Sequence, residues 1–462
     1  MVSGHQENEH SSHQQDNLRR NIRQVADVSW PIVIGMLSYT AMGVTDTLLV
    51  GWVGKTELAA VGLGTTAVFL INAFFVGSIH GVKVVSAQAT GAGKHDVASS
   101  AAWHGMAIAV IFGIIAMALA GVGPQIFALM GGSQEVQDLA CQYFQWRIMA
   151  SPFWYVTIAL CDYYQGTGDT RTPMKLNLLT NGLNIGLDLV MIFGLGPIPA
   201  MGVKGAALAT AIASVLSMVI LLGVFLRKHR RPAQFDMGLV EQIGHMGLPI
   251  GVRYVLNVCG FTVFTSMLAH MGEDELAANQ IAFKILSLSF LPGYGISEAA
   301  CVLTGQHIGA GQPHKARGAF NAAMVLSVGI MGVFGVIFWM IPHTLIGIFQ
   351  NDQQVLEIGT ELLMVAAFFQ IFDAVAMTAT GALNGAGDTR FTMVASVMAS
   401  WFVLVPAAYT FGVVLEMGAT GAWLGMTFEI IALAAVMTWR FHTGAWKDKA
   451  TAVAHKPAAA AA

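Results

Sequence analysis

Four polar residues stand inside long apolar segments, where their types and spacing could bind a cation. Asp46 lies in an almost wholly apolar run at 28–53. Asn184 and Asp188 are four residues apart, which places both on one helix face, and Thr210 falls in the next apolar segment. A charge in hydrocarbon costs roughly 2.5–3.5 kcal/mol on insertion scales, so such residues usually face a cavity or a partner. The alternatives are an Asp46 hydrated by lipid headgroups and separate interhelical hydrogen bonds.

The chemistry of this set suits a small monovalent cation. Two carboxylates, an amide and a hydroxyl supply oxygen ligands, which hard cations prefer, by analogy with Ca²⁺ and Mg²⁺. The set equally suits proton carriage, because one of two close carboxylates in a low dielectric holds its proton more tightly. We therefore predict a coupling site for Na⁺ or H⁺ formed by Asp46, Asn184, Asp188 and Thr210. We expect no cofactor besides this coupling ion.

The composition predicts an all-α integral membrane protein. Of the 462 residues, 55% are hydrophobic and only 11% charged, whereas soluble domains carry about 25% charged residues. The 51 glycines suit close packing of membrane helices. The four cysteines show no metal-ligand spacing, which indicates buried thiols. We predict twelve spans, at about 28–53, 60–86, 101–122, 141–165, 173–194, 203–226, 243–270, 277–305, 318–342, 358–383, 391–414 and 418–441.

The placement of basic residues predicts the orientation in the membrane. With the N-terminus in the cytoplasm, the outer loops hold only Lys55 and Lys204, while most Lys and Arg residues fall inside. This is the asymmetry of the positive-inside rule. We therefore expect a multi-pass protein of the cell (inner or plasma) membrane with both termini cytoplasmic. The basic residues are scattered, so the net charge of −3 indicates no nucleic-acid partner.

Internal repeats divide the chain into two similar halves. The sequence QATGAG at 88–93 matches QHIGAG at 306–311, and ELAA at 57–60 recurs at 275–278. Both pairs are separated by 218 residues. Each half holds six spans, an even number, so we predict two parallel-repeat six-helix bundles. The predicted domains are a disordered tail at 1–24, an N-lobe at 25–226, a basic cytoplasmic linker at 227–242, a C-lobe at 243–442 and a disordered tail at 443–462.

The repeat also predicts that the cation site exists in one half only. At the repeat offset, Asp46 aligns with Phe264. Asp188 aligns with Pro406, and Thr210 aligns with a methionine. The second half therefore lacks the polar set of the first.

Several motifs resemble those of the multidrug and toxic compound extrusion (MATE) family. TDTLLVG around Asp46, with ELAAVGL after it, is similar to the family's first-helix signature. QGTGDTRTP, NGLNIGLDLVMIFG and MGVKGAALATAIAS resemble its fourth, fifth and sixth helices, and the likeness covers about 25–442. It implies a V-shaped pair of six-helix bundles that exports amphipathic, often cationic compounds in exchange for Na⁺ or H⁺. It also implies a cation site at the four N-lobe residues and a bend in the first helix at Pro31.

The second half departs from one branch of that family. Asp373 matches the C-lobe carboxylate of the NorM-like branch, but Asn257 stands where that branch has a Glu in helix 7. Arg253 lies one turn earlier. We hypothesise that Asp373 contacts substrate or neutralises Arg253 and does not carry the coupling ion.

Other intramembrane polar residues have more than one interpretation. Asp162 and Tyr155 are candidates to line the N-lobe cleft, although Asp162 could equally be a structural partner for span 5. His80 and Lys83, late in span 2, suggest snorkelling or an inner-gate ion pair. Arg147, early in span 4, is expected at the outer interface.

We find no catalytic signature. HExxH, GxSxG and the P-loop GxxxxGK[ST] are all absent from the sequence, so we expect a transporter driven by an ion gradient and not an enzyme. The expected partners are a small amphipathic or cationic substrate and the bilayer, with the protein a monomer. A flippase or dedicated exporter of a lipid-linked or specific amphipathic metabolite stays open, and an integral-membrane enzyme is a more distant alternative.

Overall fold

The protein is almost entirely helical. The computed structural model describes residues 3–195, 197–229, 233–350 and 352–447, with side chains from residue 17 onward. The helices are α1 (Ser3–Val53), α2 (Lys55–Ile79), α3 (Gly81–Gly91), α4 (His95–Ala118), α5 (Gly123–Met130), α6 (Gln134–Met149), α7 (Ser151–Gly166), α8 (Arg171–Phe193), α9 (Gly202–Lys228), α10 (Met237–Met271), α11 (Glu273–Gly309), α12 (Pro313–Met340), α13 (Pro342–Gly347), α14 (Gln353–Gly385), α15 (Thr389–Ala399), α16 (Val405–Tyr409) and α17 (Gly418–Thr443).

The predicted all-α membrane fold is confirmed. Within the described residues, eleven helical segments are long and apolar enough to cross a membrane. The remaining predicted span, the fourth, is divided into α6 and α7, each 16 residues long, with Ala150 between them. Pro152 lies in the first turn of α7. Proline has no backbone N–H and cannot continue the hydrogen-bond ladder from α6, which explains why the fourth span is interrupted.

The first helix is longer than the sequence indicates. α1 begins at Ser3, so helical structure covers most of the segment for which we predicted disorder, 1–24. The helix is anchored because Val25 is fully buried in an apolar cluster with Phe320 and Phe441, against which Ile22 also packs. Tertiary packing of this kind overrides the polar composition of the helix start.

The predicted linker and C-terminal tail are only partly described. Residues 230–232 of the linker and 448–462 of the tail lie outside the described residues. At the start of the tail, Trp446 is fully buried and donates its Nε1–H to the backbone oxygen of Phe441 over 2.8 Å. The predicted lobe boundaries stay predictions.

The chain forms two compact units that do not follow the two halves of the sequence. One unit consists of Met1–Val33, Ala87–Gly93 and Leu256–Ala462. The other consists of Ile34–Ser86 and Lys94–Val255. The chain therefore changes unit within α1, just after Pro31, which is buried inside the continuous helix. It changes again within α10. The first helix of each repeat is thus shared between the two units.

Each unit has its own apolar core. In the unit that contains most of the second repeat, one cluster surrounds Trp423 and Phe369, and a second, alanine-rich cluster surrounds Phe320. In the other unit, Phe127 and Phe144 form the centre of a cluster between α2, α5 and α6. A further cluster joins α1, α2, α6, α8 and α9 and lies next to the polar residues described below.

Candidate cation-binding site

Three helices bring the four predicted polar residues together. α1 supplies Asp46, α8 supplies Asn184 and Asp188, and α9 supplies Thr210. Asn184 and Asp188 are fully buried, Thr210 is 7% exposed and Asp46 is half-buried. Because Asn184 and Asp188 are one turn apart on α8, both side chains face the same neighbours.

The Asn184 amide connects the two carboxyl groups. With its nitrogen turned toward them, it donates to Asp46 Oδ1 over 3.3 Å and to Asp188 Oδ2 over 3.2 Å. Its oxygen then accepts from the backbone nitrogen of Thr210 over 3.3 Å. In the opposite orientation, the amide nitrogen lies 3.4 Å from Thr210 Oγ1. We adopt the first orientation, because it places the amide nitrogen next to acceptors and the amide oxygen next to a donor.

The two carboxyl groups interact directly with each other. Ionised carboxylates have only acceptor atoms, so a hydrogen bond between them would require a proton on Asp46 or Asp188. The second oxygen of Asp188, Oδ1, is buried and has no hydrogen-bond partner. A buried acceptor without a partner is rare and calls for an explanation, such as a bound ion. These residues therefore fit Na⁺ or H⁺, which would supply the missing partner.

An apolar cluster covers this site on one side. Leu49 follows Asp46 by about one turn, and Ile192 follows Asp188 by about one turn. Both belong to the cluster that joins five helices, together with Val203 of α9. Such a cover excludes water from one side of the site and lowers the local dielectric, which strengthens every charge interaction within it.

The sequence interpretation missed Arg147 as a neighbour of this site. Arg147 on α6 interacts electrostatically with Asp46 and Asp188, and also with Tyr39 of α1. Its guanidinium carbon lies 5.9 Å from the centre of the Tyr143 ring. α6 begins at Gln134, so Arg147 is about three and a half turns into the helix. Its expected place at the outer interface stays a prediction.

A polar stripe along α8 was also missed. Asn181, one turn before the site, donates its amide nitrogen to Ser38 Oγ of α1 over 2.9 Å. Asn177, one further turn back, lies against Gly35 of α1. The spacing of 177, 181, 184 and 188 is that of a single helix face and could have revealed the stripe. Interhelical hydrogen bonds of this kind hold membrane helices together.

Asp162 and Tyr155 form buried contacts within the same unit. Asp162, 2% exposed, has an oxygen 2.9 Å from His80 Nδ1, and its other oxygen is 3.3 Å from Lys83 Nζ. Its partners therefore come from the second predicted span and not from span 5. Tyr155 is fully buried and donates its hydroxyl to Asn72 Oδ1 over 2.6 Å.

The other candidate residues are placed as follows. One oxygen of Asp373 is buried without a hydrogen-bond partner, and Glu429 of α17, which the sequence interpretation missed, interacts with it electrostatically. Asn257 accepts from Ser400 Oγ over 3.4 Å. The Arg253 guanidinium lies 5.6 Å from the Tyr254 ring centre, with Nη1 buried and unpartnered. The hypothesis about Asp373 and Arg253 stays a prediction.

These features define a polytopic membrane transporter. Its helices carry a carboxylate pair within apolar segments, and one member of the pair, Asp188, is fully buried. The MatE family model matches residues 31–190 and 249–410, which is most of the membrane-spanning sequence. The chain belongs to the MATE family, which is a family of transporters and not of enzymes.

Curated relatives match over nearly their full lengths. The probable multidrug resistance protein NorM of Thermotoga maritima is 30% identical over 416 residues, covering 88% of this chain and 89% of that protein. The multidrug resistance protein NorM of Burkholderia vietnamiensis is 29% identical over 440 residues, covering 92% and 95%.

Solved structures show the same fold. A multidrug resistance MATE family transporter of the MOP superfamily, in an outward-facing conformation, superposes with a TM-score of 0.85 at 22% identity, covering 95% of this chain and 97% of that chain. A Vibrio cholerae MATE transporter gives 0.86 at 19% identity, covering 93% and 98%.

Proposed function

We propose that this protein is a secondary active antiporter that exports amphipathic, often cationic drugs or metabolites in exchange for Na⁺ or H⁺ by alternating access. The observation that carries the proposal is the carboxylate pair of the half-buried Asp46 and the fully buried Asp188, joined by Asn184, with one Asp188 oxygen left without a partner. The names of the relatives, multidrug resistance proteins, support drugs as the exported class.

Repulsion within the carboxylate pair explains how a bound ion can favour one conformation of the protein. With both groups ionised, two negative charges stand close together in a low dielectric, which is unfavourable. A proton or Na⁺ between Asp46 and Asp188 relieves this repulsion. An ion can drive a conformational change only through its different affinity for the two conformations. A site that is complete in one conformation and pulled apart in the other supplies that difference.

Helix α1 is the element best placed to respond to the ion. Asp46 is the site's contribution from α1, whereas Asn184, Asp188 and Thr210 come from α8 and α9, which pack together. Ion binding therefore fixes α1 against two other helices. Pro31 in the same helix lacks a backbone N–H and provides a point at which α1 can bend without losing a hydrogen bond.

The same proposal includes the protein's setting. We place it in the cell (inner or plasma) membrane as a monomer. Both termini lie in the cytoplasm in this proposal, because the outer loops hold so few basic residues. Substrate enters from the cytoplasm or the inner leaflet and leaves on the outer side.

One observation favours a second candidate, a flippase or dedicated exporter of a lipid-linked or specific amphipathic metabolite. The buried, unpartnered Nη1 of Arg253 is a donor that suits an anionic headgroup better than a cationic drug. Competition of a lipid-linked anion with ethidium transport would support this candidate, and loss of that competition in Arg253→Gln would identify the donor.

The main test is transport in proteoliposomes loaded with ethidium, a fluorescent cation, with Na⁺ and pH gradients imposed separately. We expect one of the two gradients to drive efflux in the wild type and neither to do so in Asp46→Asn. The matched control is Asp138→Asn, because Asp138 accepts a hydrogen bond from Gln134 of its own helix, α6. Gradient-driven efflux at the wild-type rate in Asp46→Asn would refute the proposed site.

A further inference from the structure

Arg147 lies at the level of the carboxylate pair. Tyr143, one turn before it on α6, belongs to the same apolar cluster as Leu49 and Ile192. Those two residues lie one turn beyond Asp46 and Asp188 on their own helices. The register of α1, α6 and α8 against one cluster therefore brings Arg147 to the depth of the two carboxyl groups.

Two tyrosines lie close to the guanidinium near the carboxylate pair. Tyr39 of α1 interacts electrostatically with Arg147, and the Tyr143 ring centre is 5.9 Å from its guanidinium carbon. In the described part of the chain, no ion pair within 4.0 Å connects Arg147 to either carboxyl group. The guanidinium still interacts with both carboxyl groups electrostatically. It therefore acts on the site through its charge and leaves the carboxylate oxygens available.

The charges at this depth add up to a single negative charge. Two ionised carboxylates contribute −2 and the guanidinium contributes +1. Arginine stays protonated throughout any physiological cycle, so this positive charge is permanent. One proton or one Na⁺ makes the site neutral. With one proton between them, the two carboxyl groups can hydrogen-bond to each other, and this is the one-proton form of the neutral site.

We propose that Arg147 is a specificity-determining residue that limits the pair to one monovalent cation per transport cycle. This inference rests on the proposed function of the site. A second cation, or a divalent one, would bring net positive charge into a low-dielectric layer and would be repelled by the guanidinium. Arg147 thereby sets the stoichiometry of exchange, a role different from that of the carboxylates that bind the ion.

The stoichiometry has an electrical consequence. Exchange of one monovalent ion for one singly charged drug moves no net charge across the membrane. Without Arg147, the pair would need two monovalent cations for neutrality, and each cycle would carry one net charge. Transport of a singly charged drug would then respond to the membrane potential.

The test measures ethidium efflux from proteoliposomes at a fixed ion gradient while valinomycin and K⁺ set the membrane potential. We expect efflux by the wild type to be independent of the potential. Arg147→Gln should make efflux depend on the potential and should lower the half-saturating concentration of the driving ion about tenfold or more, since a like charge has been removed. Arg147→Lys, which keeps the charge, should keep the exchange electroneutral.

The outcomes distinguish failure of this inference from failure of the proposed function. Potential-dependent efflux by the wild type overturns the inference without any variant. An Arg147→Gln protein that stays electroneutral with wild-type ion dependence also overturns it and identifies Arg147 as a structural anchor for Tyr39. If the ion gradient still drives efflux in Asp46→Asn, it is the proposed function of the site that fails. Thermal unfolding of each variant separates a loss of folding from a change in coupling.

Discussion

Gly91 packs directly against the backbone carbonyl of Gln306, and no side-chain carbon could be added to Gly91 without overlapping that oxygen. The same contact occurs in the reverse sense between Gly309 and Gln88, each 218 residues from its counterpart. Gln88 also donates its side-chain nitrogen to the backbone oxygen of Gly385 over 2.9 Å. The two repeat motifs thus contact each other directly through backbone atoms at the ends of α3 and α11. By the predicted orientation, this is the cytoplasmic side.

A methyl group at Gly91 should disrupt this closure. Ala normally stabilises a helix by about 0.5–1 kcal/mol relative to Gly. At Gly91 we expect Gly91→Ala instead to destabilise by about 1–3 kcal/mol, as overpacking does, and to slow ethidium efflux. The measurement is thermal unfolding in detergent together with transport. Gly62→Ala in α2, where the methyl group meets open space, is the matched control. Equal unfolding temperatures for the two variants would contradict the tight contact.

Thr210→Val should distinguish the two candidate ions. The hydroxyl offers an oxygen ligand to Na⁺, whereas a proton held by Asp46 and Asp188 does not need it. If Na⁺ is the driving ion, we expect its half-saturating concentration to rise about three- to tenfold in Thr210→Val, the range of a lost hydrogen bond. If H⁺ is the driving ion, we expect efflux to change little. Ion titration of ethidium efflux measures both.

Thr157→Val is the control for this experiment. Thr157 is buried to the same degree as Thr210 and bonds the backbone oxygen four residues earlier in the same way, but it lies on α7. An identical shift in both variants would show that the hydroxyl of Thr210 has no specific part in ion binding.

The repeat comparison is the reason the polar set could be predicted from sequence. Asp46, Asn184, Asp188 and Thr210 stood out because their counterparts in the second half are not a similar set, and the structure brings all four together. Helical spacing shows which residues share a face, as with Asn184 and Asp188. The fold class followed from composition and from runs of apolar residues in the same way.

What spacing cannot show is which helix faces which. Arg147 and Tyr39 interact electrostatically because α6 and α1 are neighbours, and nothing in either segment alone indicates this interaction. The partners of Asp162, which are His80 and Lys83, likewise lie on the second predicted span. The interruption at Ala150 was readable in principle, because Pro152 follows it, but the fourth span was apolar enough to be taken as one helix.

The ion pairs of Asp162 should be structural. Asp162→Asn takes the carboxylate away from His80 and from Lys83, which is 4% exposed, and we expect a loss of about 3 kcal/mol or more in unfolding free energy. The double variant Asp162→Asn with Lys83→Met also removes the charge of Lys83. It should recover most of the lost unfolding free energy. A double-mutant cycle of thermal unfolding measures the coupling. If the double variant is less stable than Asp162→Asn alone, the pair is not what holds this residue in place.

The histidine at the end of α9 should make stability depend on pH. His229 follows Lys228, the last residue of α9, and its Nε2 lies 3.0 Å from the hydroxyl of Tyr163. Burial, with a smaller effect from the Lys228 charge, lowers the pKa of His229 below its usual 6.5, and Asp96 only partly offsets this. The folded protein therefore binds fewer protons at His229 than the unfolded chain does. The contribution of neutral His229 to the free energy of unfolding is fully present above pH 6.5. It is lost as the pH falls through the lowered pKa of the folded state.

His229→Gln tests this dependence, because glutamine can still hydrogen-bond to Tyr163 but does not titrate. We expect the unfolding temperature of the wild type to fall more steeply than that of His229→Gln between about pH 7 and about pH 5. His95→Gln, which changes an exposed histidine at the start of α4, is the control and should keep the wild-type slope. Parallel curves for the wild type and His229→Gln would mean that other groups cause the loss of stability in acid.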